Sequence, residues 1–419
     1  MATTDSAYTG GGAKAALPPP GPLAGIKVLE LGTLIAGPFA SRLMAEFGAD
    51  VVKIEDPDGG DPLRRWRHLH RGTSLWWAVQ SRNKKSVALN LKDARARELA
   101  CRLALQADVV IENFRPGVLE KLGLGYEQLR SRRPSLVMVR LSGYGQTGPL
   151  RDRPGFGAIG EAMGGIRNVT GYADRPPVRI GLSIGDSIAA LHGVIGAMMA
   201  LRHRDATGGR ERGVGQMVDV ALYESVFNLM ESTVPEFDRF GVVRERTGTS
   251  LPGIVPSNTY TCGDDVPIVI GGNGDAIYRR LMGAIGRSDL GQDPALAHND
   301  GRVARAGEID AAIEHWCRQR TIGEALAVLE GAQVPASRVY SVADMFADAQ
   351  FAARGMIERF DMDDGTPLRV PGIVPKLSST PGATRWLGPA LGQHTDEVLG
   401  QLGLAPSQID ELRRAGAIG

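Results

Sequence analysis

Short apolar stretches alternate with helical segments along the first third of the chain, and this alternation restricts the fold more than any other feature. Stretches with strand character begin at Ile26, Asp50, Ser86, Asp108 and Ser135, and segments with apolar residues at helical spacing separate them. Strand–helix–strand repeats form parallel sheets, because a parallel neighbour is reached only through a crossover connection. The sequence therefore predicts an α/β fold with a doubly wound, Rossmann-like large domain that binds ligands beyond the carboxyl ends of its strands.

The turns that follow these strands are rich in glycine and proline, as in "GTLIAGP", "ENFRPG" and "SGYGQTGP". Glycine lets a backbone approach a ligand closely, so the turns suit a binding site. None of them contains the GxGxxG or GxxxxGK[ST] pattern of dinucleotide and nucleotide triphosphate sites. The hypothesis of a nicotinamide-dependent or nucleotide-hydrolysing enzyme therefore lacks its main sequence motif.

Changes of composition predict the domain limits. Residues 1–22 are rich in Gly, Ala and Pro, lack the features of a signal or transit peptide, and predict a disordered tail. We expect the large domain over 23–205, linker helices over 206–247 and a smaller α+β domain over 248–334. Residues 335–419 then return to the large domain.

Charge and residue counts exclude several classes of protein. The 48 Lys and Arg residues balance 47 Asp and Glu residues, which argues against a nucleic-acid or membrane-surface partner. The 3 cysteines form no CxxC pair and predict reduced thiols in a cytoplasmic protein, and the 7 histidines show no metal-ligand spacing. The longest apolar stretch, 188–201, is too short to span a bilayer and predicts a buried helix, so we expect no membrane contact.

The segment 181–193, "GLSIGDSIAALHG", offers two candidate nucleophiles. Ser183 lies in the Gly-x-Ser-x-Gly pattern of hydrolases, but such enzymes need an acid and then a histidine later in the chain, whereas His394 precedes Asp396. The strand–turn–helix pattern also begins its helix near Asp186 instead of at the serine. Asp186 is either a simple N-cap or a carboxylate nucleophile that the helix N-terminus keeps ionised.

Several blocks, in order along nearly the whole chain, resemble the family III CoA-transferases, the relatives of formyl-CoA transferase, carnitine CoA-transferase and α-methylacyl-CoA racemase. The resemblance implies a CoA-transferase that forms interlocked homodimers, with a hetero-oligomer as the alternative. It also implies a CoA thioester as substrate, with no permanently bound cofactor and no metal. The blocks are "AGPFASRLMAEFGADVVKIE" (36–55), "GDPLRRW" (60–66), "NKKSVALNLK" (83–92), "ENFRPGVLEKLGLGY" (112–126), "SGYGQTGP" (142–149), "GDS" (185–187) and "GQHTDEVL" (392–399).

The position of the family's nucleophilic aspartate matches Asp186. The resemblance implies that this carboxylate attacks the acyl-CoA to give a mixed anhydride, and that the CoA thiolate then returns to give an aspartyl-CoA thioester. Only a carboxylate can hold CoA in this way, which favours Asp186 over Ser183. The family's glycine-rich loop matches "GGNGD", and the amides of Gly271 and Gly272 are expected to stabilise the oxyanions.

The resemblance also assigns the CoA contacts to turns of the large domain. Leu34, Ile35 and Ala36 are expected to line the thiol arm. Asp56 stands where the family often has a basic or apolar residue, and Arg64 is expected to compensate for it with a phosphate contact. The residues expected at the adenine and the phosphates are Lys84, Asn113, Phe114, Arg115 and Lys121.

One block separates the branches of the family. The racemases have a His–Asp pair where this chain has Phe156 and Gly157, so a two-base proton exchange lacks a partner. The subgroup resembles transferases that move CoA from succinyl-CoA to small dicarboxylates. Phe156 and Glu161 are expected near the substrate, and Arg167 or Arg179 is expected to pair with its distal carboxylate. The alternatives are an acyl-CoA racemase or epimerase, and a non-catalytic CoA-binding subunit of a heteromeric transferase.

Overall fold

The computed structural model describes residues 20–419, so nearly all of the predicted tail at 1–22 lies outside the described residues. The chain forms two compact units, and each is assembled from separate segments. The large unit contains residues 20–156, 186–222 and 358–419, and the small unit contains 157–185 and 223–357. The domain limits proposed from the sequence stay a prediction.

One six-stranded, one three-stranded and two two-stranded sheets are formed by the strands of residues 20–419. The strands are β1 (Lys27–Glu30), β2 (Asp50–Glu55), β3 (Leu69–His70), β4 (Thr73–Ser74), β5 (Lys84–Ala88), β6 (Val109–Glu112), β7 (Val137–Ser142), β8 (Met217–Ala221), β9 (Ser257–Thr261), β10 (Pro267–Gly271), β11 (Ala336–Arg338), β12 (Ile357–Asp361) and β13 (Pro367–Pro371).

The helices follow the strands in alternation only in the first part of the chain. They are α1 (Ala36–Glu46), α2 (Leu75–Gln80), α3 (Ala94–Gln106), α4 (Val118–Lys121), α5 (Tyr126–Arg130), α6 (Gly157–Met163), α7 (Ile184–Ala206), α8 (Gly209–Arg212), α9 (Leu222–Phe227), α10 (Thr233–Phe240), α11 (Asp275–Ala284), α12 (Ser288–Gln292), α13 (Asn299–Ala304), α14 (Ala306–Arg318), α15 (Ile322–Gly331), α16 (Val342–Ala347), α17 (Ala349–Ala353), α18 (Thr395–Gln401) and α19 (Pro406–Arg414), with 3-10 turns at Pro62–Arg65 and Pro294–Leu296.

A six-stranded parallel sheet in the order β5-β2-β1-β6-β7-β8 forms the centre of the large unit. Successive residues of β6 face opposite cores: Val109 and Ile111 pack on one side, and Val110 packs on the other. The strand order reverses between β1 and β6, and ligands of doubly wound sheets bind at such a switch point. The predicted α/β class is therefore confirmed.

The predicted linker at 206–247 is wrong in one respect, because residues Met217–Ala221 form the edge strand β8 of this sheet instead of a helix. The segment pairs in parallel with β7, and Val220 and Ala221 are buried against the core. Its alternation of apolar and polar residues covers too few positions to be separated from the helix that follows directly at Leu222.

Helix α7 covers one face of the sheet. Ala189, Ala190, Ala197 and Ala200 are fully buried in the same core cluster as strands β1, β6 and β7. With 23 residues, α7 is the one helix among residues 20–419 that is long and apolar enough to cross a bilayer by length and composition. The helix extends beyond the apolar stretch 188–201 at both ends. It is buried on one face only, because Leu191, Ile195 and Met199 are exposed, so the expected buried helix is only partly confirmed.

The small unit contains an antiparallel sheet in the order β11-β10-β9. Ile268 and Ile270 of β10 are buried, and they pack in one cluster with Leu281 of α11 and Ile313 of α14. This arrangement agrees with the expected smaller α+β domain.

Candidate active site

Asp186 lies in the first turn of α7, the position that the sequence predicted for it. The alanine face of α7 is fixed against the sheet, so the carboxylate stands on a rigid element. The amides and dipole of a helix N-terminus stabilise a negative charge in the first turn. The position therefore suits an anionic side chain.

The structure changes the reasons for rejecting Ser183 as the nucleophile. Helix α7 begins at Ile184, directly after the serine, so the start of the helix does not separate the two candidates as expected. However, residues 176–183, all of them described, form no strand before the turn. A nucleophile elbow requires a strand that leads into the serine, so the hydrolase pattern lacks its structural context.

A buried carboxylate and two arginines are brought together in the small unit. Glu161, on α6, is 1% exposed, and its Oε2 atom lies 3.2 Å from Nη2 of Arg167 and 3.6 Å from Nε of Arg179. Its Oε1 atom lies 3.5 Å from the amide of Gly185, the residue before Asp186. The cluster carries one net positive charge, and Arg179 remains half exposed.

Phe156 precedes α6 and is 68% exposed. A single exposed aromatic ring is common on protein surfaces and does not by itself mark a ligand site. The role predicted for Phe156 stays a prediction, as does that of Glu161 and Arg179.

The glycine loop does not offer the amides that the sequence analysis assigned to it. The Gly271 amide donates to the Pro335 carbonyl at 3.0 Å, and the Gly272 amide donates to the Pro256 carbonyl at 2.9 Å. Both N–H groups therefore satisfy backbone partners within the small unit, and the expected oxyanion contacts of these two amides need correction.

A buried arginine donates hydrogen bonds to the apex of the same loop. Arg302 is fully buried, and its Nη2 atom donates to the Asn273 carbonyl and to the Asp275 carboxylate, each at 2.7 Å. Asn273 and Gly274 are exposed at the apex, between strand β10 and helix α11. The loop is thus a fixed turn whose exposed part lies beyond the two glycines.

Side chains from other elements hold the turn after β1, which contains the predicted thiol-arm residues. The side-chain amide of Asn113 bonds to the backbone N–H and C=O of Thr33 at 2.8 and 2.9 Å. This contact joins the turns after β1 and β6, the two strands of the switch point. Both polar atoms of the Asn113 side chain are thus hydrogen-bonded within the protein, whereas the sequence analysis expected them to contact CoA.

The predicted thiol-arm residues differ in their exposure. Ile35 and Ala36 are buried at 9% and 3% exposure, whereas Leu34 is partly exposed. Arg115 and Lys121 lie in and after the turn that follows β6, and both are exposed. Their expected contacts with CoA stay predictions.

Lys84 and Arg64 are both buried, so their charged groups are not accessible to a phosphate. Lys84 is fully buried, and its Nζ atom lies 2.8 Å from Glu30 and 2.7 Å from the Pro38 carbonyl. Burial lowers the pKa of Lys84 to about 8, although the attraction of Glu30 opposes this shift. The Lys84 ammonium is an internal group, and its predicted phosphate contact is corrected.

The guanidinium of Arg64 is likewise used inside the large unit. It donates to both oxygens of Glu55 at 2.7 and 2.8 Å, and its carbon lies 3.7 Å from the ring centre of Trp77. Its remaining Nη1 atom donates to the Pro389 carbonyl. The suggested compensation for Asp56 by Arg64 is therefore also corrected.

A cavity of about 360 Å³ lies in the large unit beside the turns after β1, β2 and β6. Most of its wall area is apolar, and its charged lining residues are Lys53, Glu55, Asp56, Asp61 and Lys92. The sequence analysis included Phe114 but missed Lys92, although the block 83–92 ends on this lysine. The uncharged side chains that line it include Leu31, Thr33, Leu89, Leu91, Phe114 and Leu122.

Among residues 20–419, no group of three or more His, Cys, Asp or Glu side chains is arranged to hold a metal ion. The three cysteines are buried and free.

Comparison with known proteins places the chain in a family. Residues 23–395 match the model of CoA-transferase family III. The chain is 47% identical to the succinyl-CoA–D-citramalate CoA-transferase of Chloroflexus aurantiacus, over 92% of this chain and 94% of that protein. It is 42% identical to the beta subunit of the succinyl-CoA–L-malate CoA-transferase of the same organism, over 94% of this chain and 97% of that protein.

A solved structure agrees with these relatives. The crystal structure of a CaiB/BaiF family protein from Brucella suis has a TM-score of 0.78 and 34% identity, and the match covers 91% of this chain and 100% of that chain. The predicted family and the predicted enzyme class, a CoA-transferase, are confirmed. The chain belongs to CoA-transferase family III.

Proposed function

We propose that this protein transfers CoA from succinyl-CoA to a small dicarboxylic acid through a covalent thioester on Asp186. The observation that carries the proposal is the position of this carboxylate in the first turn of a helix whose alanine face is buried against the sheet. The names of the relatives support the donor and the class of acceptor, because both act on succinyl-CoA and a dicarboxylic acid.

The transfer requires only the acyl-CoA donor, the acceptor acid and the Asp186 carboxylate. A carboxylate oxygen of Asp186 attacks the thioester carbonyl and expels the CoA thiolate, which gives a mixed anhydride. The thiolate then attacks the aspartyl carbonyl and releases succinate, which gives the aspartyl-CoA thioester. The acceptor carboxylate attacks the same carbonyl and expels the CoA thiolate, which gives a second mixed anhydride. The thiolate then attacks the acyl carbon of the acceptor and releases the Asp186 carboxylate.

The second carboxylate of the acceptor is proposed to pair with Arg179. Its guanidinium is half exposed, and it shares Glu161 with Arg167, so one positive charge of the cluster is not neutralised. A planar guanidinium binds a carboxylate through two parallel hydrogen bonds, which favours dicarboxylic over monocarboxylic acceptors. Glu161 then acts as the counter-ion that orients both arginines, and Phe156 supplies an apolar wall.

The nucleotide part of CoA is proposed to occupy the cavity beside the switch point. Apolar side chains such as Leu91 and Phe114 suit the faces of an adenine ring, and Lys92 supplies positive charge for a phosphate. Arg115 and Lys121 are exposed beside the same turn and are proposed to contact the other phosphates. Leu34 then lies next to the thiol arm.

The glycine loop is proposed to contribute through its exposed apex, Asn273 and Gly274. This assignment follows from the engaged amides of Gly271 and Gly272, which leave the apex as the part able to face a substrate.

The experiment is to mix the purified protein with succinyl-CoA and one acid at a time, and to follow the CoA esters by mass spectrometry. Malate, citramalate, glutarate, itaconate and mesaconate test the dicarboxylic class, and acetate and butyrate serve as monocarboxylic controls. A new CoA ester that appears together with succinate, only when a dicarboxylic acid is present, is the expected result. A new ester with the monocarboxylic acids alone contradicts the proposed acceptor class.

The same preparation tests the proposed homodimer. Light scattering is expected to give twice the mass of the 44.6 kDa chain for an active enzyme. A protein that is inactive alone, and gains activity only with a second, related chain, would instead be one subunit of a heteromer, as the name of the beta-subunit relative indicates for that protein.

A further inference from the structure

Leu34 has a backbone conformation that leucine rarely adopts. Its φ angle is +65°, in the left-handed region, and it lies in the turn after β1 at the switch point of the sheet. A side chain with a Cβ atom crowds the backbone there, so this conformation persists only where the surroundings hold it. Strained residues of this kind cluster at functional sites.

The surroundings hold the turn at four successive residues. Nζ of Lys53 donates to the Gly32 carbonyl at 2.7 Å, and Nε2 of Gln80 donates to the Ile35 carbonyl at 3.1 Å. Between them, Asn113 holds Thr33, as described above. Side chains from β2, from α2 and from the turn after β6 thus converge on one irregular stretch of backbone.

Asp61 supplies the contact at the strained residue itself. Both of its carboxylate oxygens lie 3.1 Å from the Leu34 amide, and Oδ2 also lies 2.9 Å from Nζ of Lys53. The carboxylate is buried, and it also accepts the Leu63 amide at 2.9 Å. A buried charge with this many partners has one geometry, so it fixes the amide that it binds.

We propose that Asp61 is a positioning residue that holds Leu34 in the left-handed conformation and thereby fixes the 32–35 turn against the thiol end of the CoA substrate. The proposal rests on the proposed function for the identity of the substrate. It predicts that Asp61 acts through the backbone of Leu34, so its importance depends on which residue stands at position 34.

The test is a double-mutant cycle of Asp61→Asn and Leu34→Gly, with Asp58→Asn as the matched control. Asp58 is an exposed carboxylate three residues away that has no contact with the turn after β1 among the described residues. Glycine adopts positive φ without strain, so in Leu34→Gly the backbone of residue 34 no longer requires Asp61 to hold this conformation. In the leucine background, Asp61→Asn is expected to lower kcat/KM for succinyl-CoA by about tenfold, because the strained turn relaxes out of the productive conformation.

In the glycine background, the same change is expected to lower kcat/KM by less than about threefold. Equal losses in both backgrounds would mean that Asp61 acts independently of Leu34, as a partner of Lys53 or as a lining residue of the cavity, and would overturn the proposal. Asp58→Asn is expected to leave kcat/KM unchanged.

Amide hydrogen exchange provides a readout that does not depend on activity. The peptide that contains residues 31–36 is expected to exchange faster in Asp61→Asn than in the unchanged protein, and Asp58→Asn is expected to show no difference. Unchanged exchange in Asp61→Asn would also overturn the proposal. If the unchanged protein transfers no CoA, the proposed function fails, and the exchange experiment still decides the role of Asp61.

If Asp61→Asn does not fold, substitutions at Leu34 test the same strain. Asparagine tolerates the left-handed region, whereas a β-branched residue does not. Leu34→Val is therefore expected to lower kcat/KM by about tenfold more than Leu34→Asn, and equal losses would overturn the proposal.

Discussion

A methyl group placed on Gly272 would lie 2.6 Å from Cδ2 of Leu281. The same methyl group would lie 3.0 Å from Cγ of Pro256, whereas one placed on Gly271 would meet no atom within 4 Å. Two adjacent glycines of one loop thus differ completely in the room around them. The close contact packs the turn against the first helix of the small-unit core.

This difference predicts that Gly272→Ala destabilises the protein and Gly271→Ala does not. Overpacking at Gly272 is expected to cost about 1–3 kcal/mol of unfolding free energy, and the neighbouring change less than about 0.5 kcal/mol. Thermal unfolding followed by circular dichroism compares the two variants directly. Equal melting temperatures would show that the loop does not pack on Leu281 as described.

Asp186→Asn is expected to abolish transfer while the fold is kept. The amide is nearly isosteric and remains in the first turn of α7, but it cannot form the anhydride or the thioester. Ester formation by mass spectrometry and the melting temperature are the two measurements. Ser183→Ala is the control and is expected to keep most of the activity; transfer at the normal rate by Asp186→Asn would refute the mechanism.

Arg179→Met is expected to lower kcat/KM for dicarboxylic acceptors by roughly 10- to 100-fold and to leave monocarboxylic acceptors nearly unchanged. The lost interaction is a charge-assisted pair with the distal carboxylate, which a monocarboxylic acid does not make. Arg175→Met, an exposed arginine of the same segment, is the matched control. Similar losses for both classes of acceptor would remove Arg179 from acceptor recognition.

The thiols are expected to resist modification in the folded protein. Burial raises the pKa of Cys101 and Cys262, and burial together with the Cys262 thiol raises the pKa of Cys317 to about 12. A thiol with such a pKa has almost no thiolate at pH 8. Titration with a disulfide reagent should therefore detect three thiols after unfolding in guanidinium and almost none before it. Fast reaction of one thiol in the native protein would contradict the described burial.

The parallel sheet was predictable because it depends on local patterns, and the edge strand β8 was not. Strands β1 to β7 alternate with helices or turns, so apolar periodicity and glycine-rich turns mark their positions. The five residues of β8 run directly into α9, and they pair with β7, which ends 75 positions earlier at Ser142. No local signal distinguishes such a strand from the start of the helix.

The position of Asp186 was predictable for the same local reason, and the role of Lys84 was not. A glycine turn ahead of an apolar helix marks the first turn where Asp186 lies. Lys84 stands in a basic stretch that is typical of a solvated surface. Its partner Glu30 lies on another strand, and a buried ion pair between distant residues leaves no pattern in the sequence.

The large unit consists of three separate segments of the chain, which has a consequence for the order of events during synthesis. Val398, Leu399 and Ile418 pack into the same core cluster as Leu29 of the first strand, and Leu89 pairs with Ile418. A nascent chain therefore carries an incomplete apolar core for as long as the ribosome is still adding the residues before 418. The small unit, whose core cluster spans 255–334, has all of its core residues earlier. The small unit is thus able to complete its core first, and the large unit, which contributes the first described strand, completes its core last.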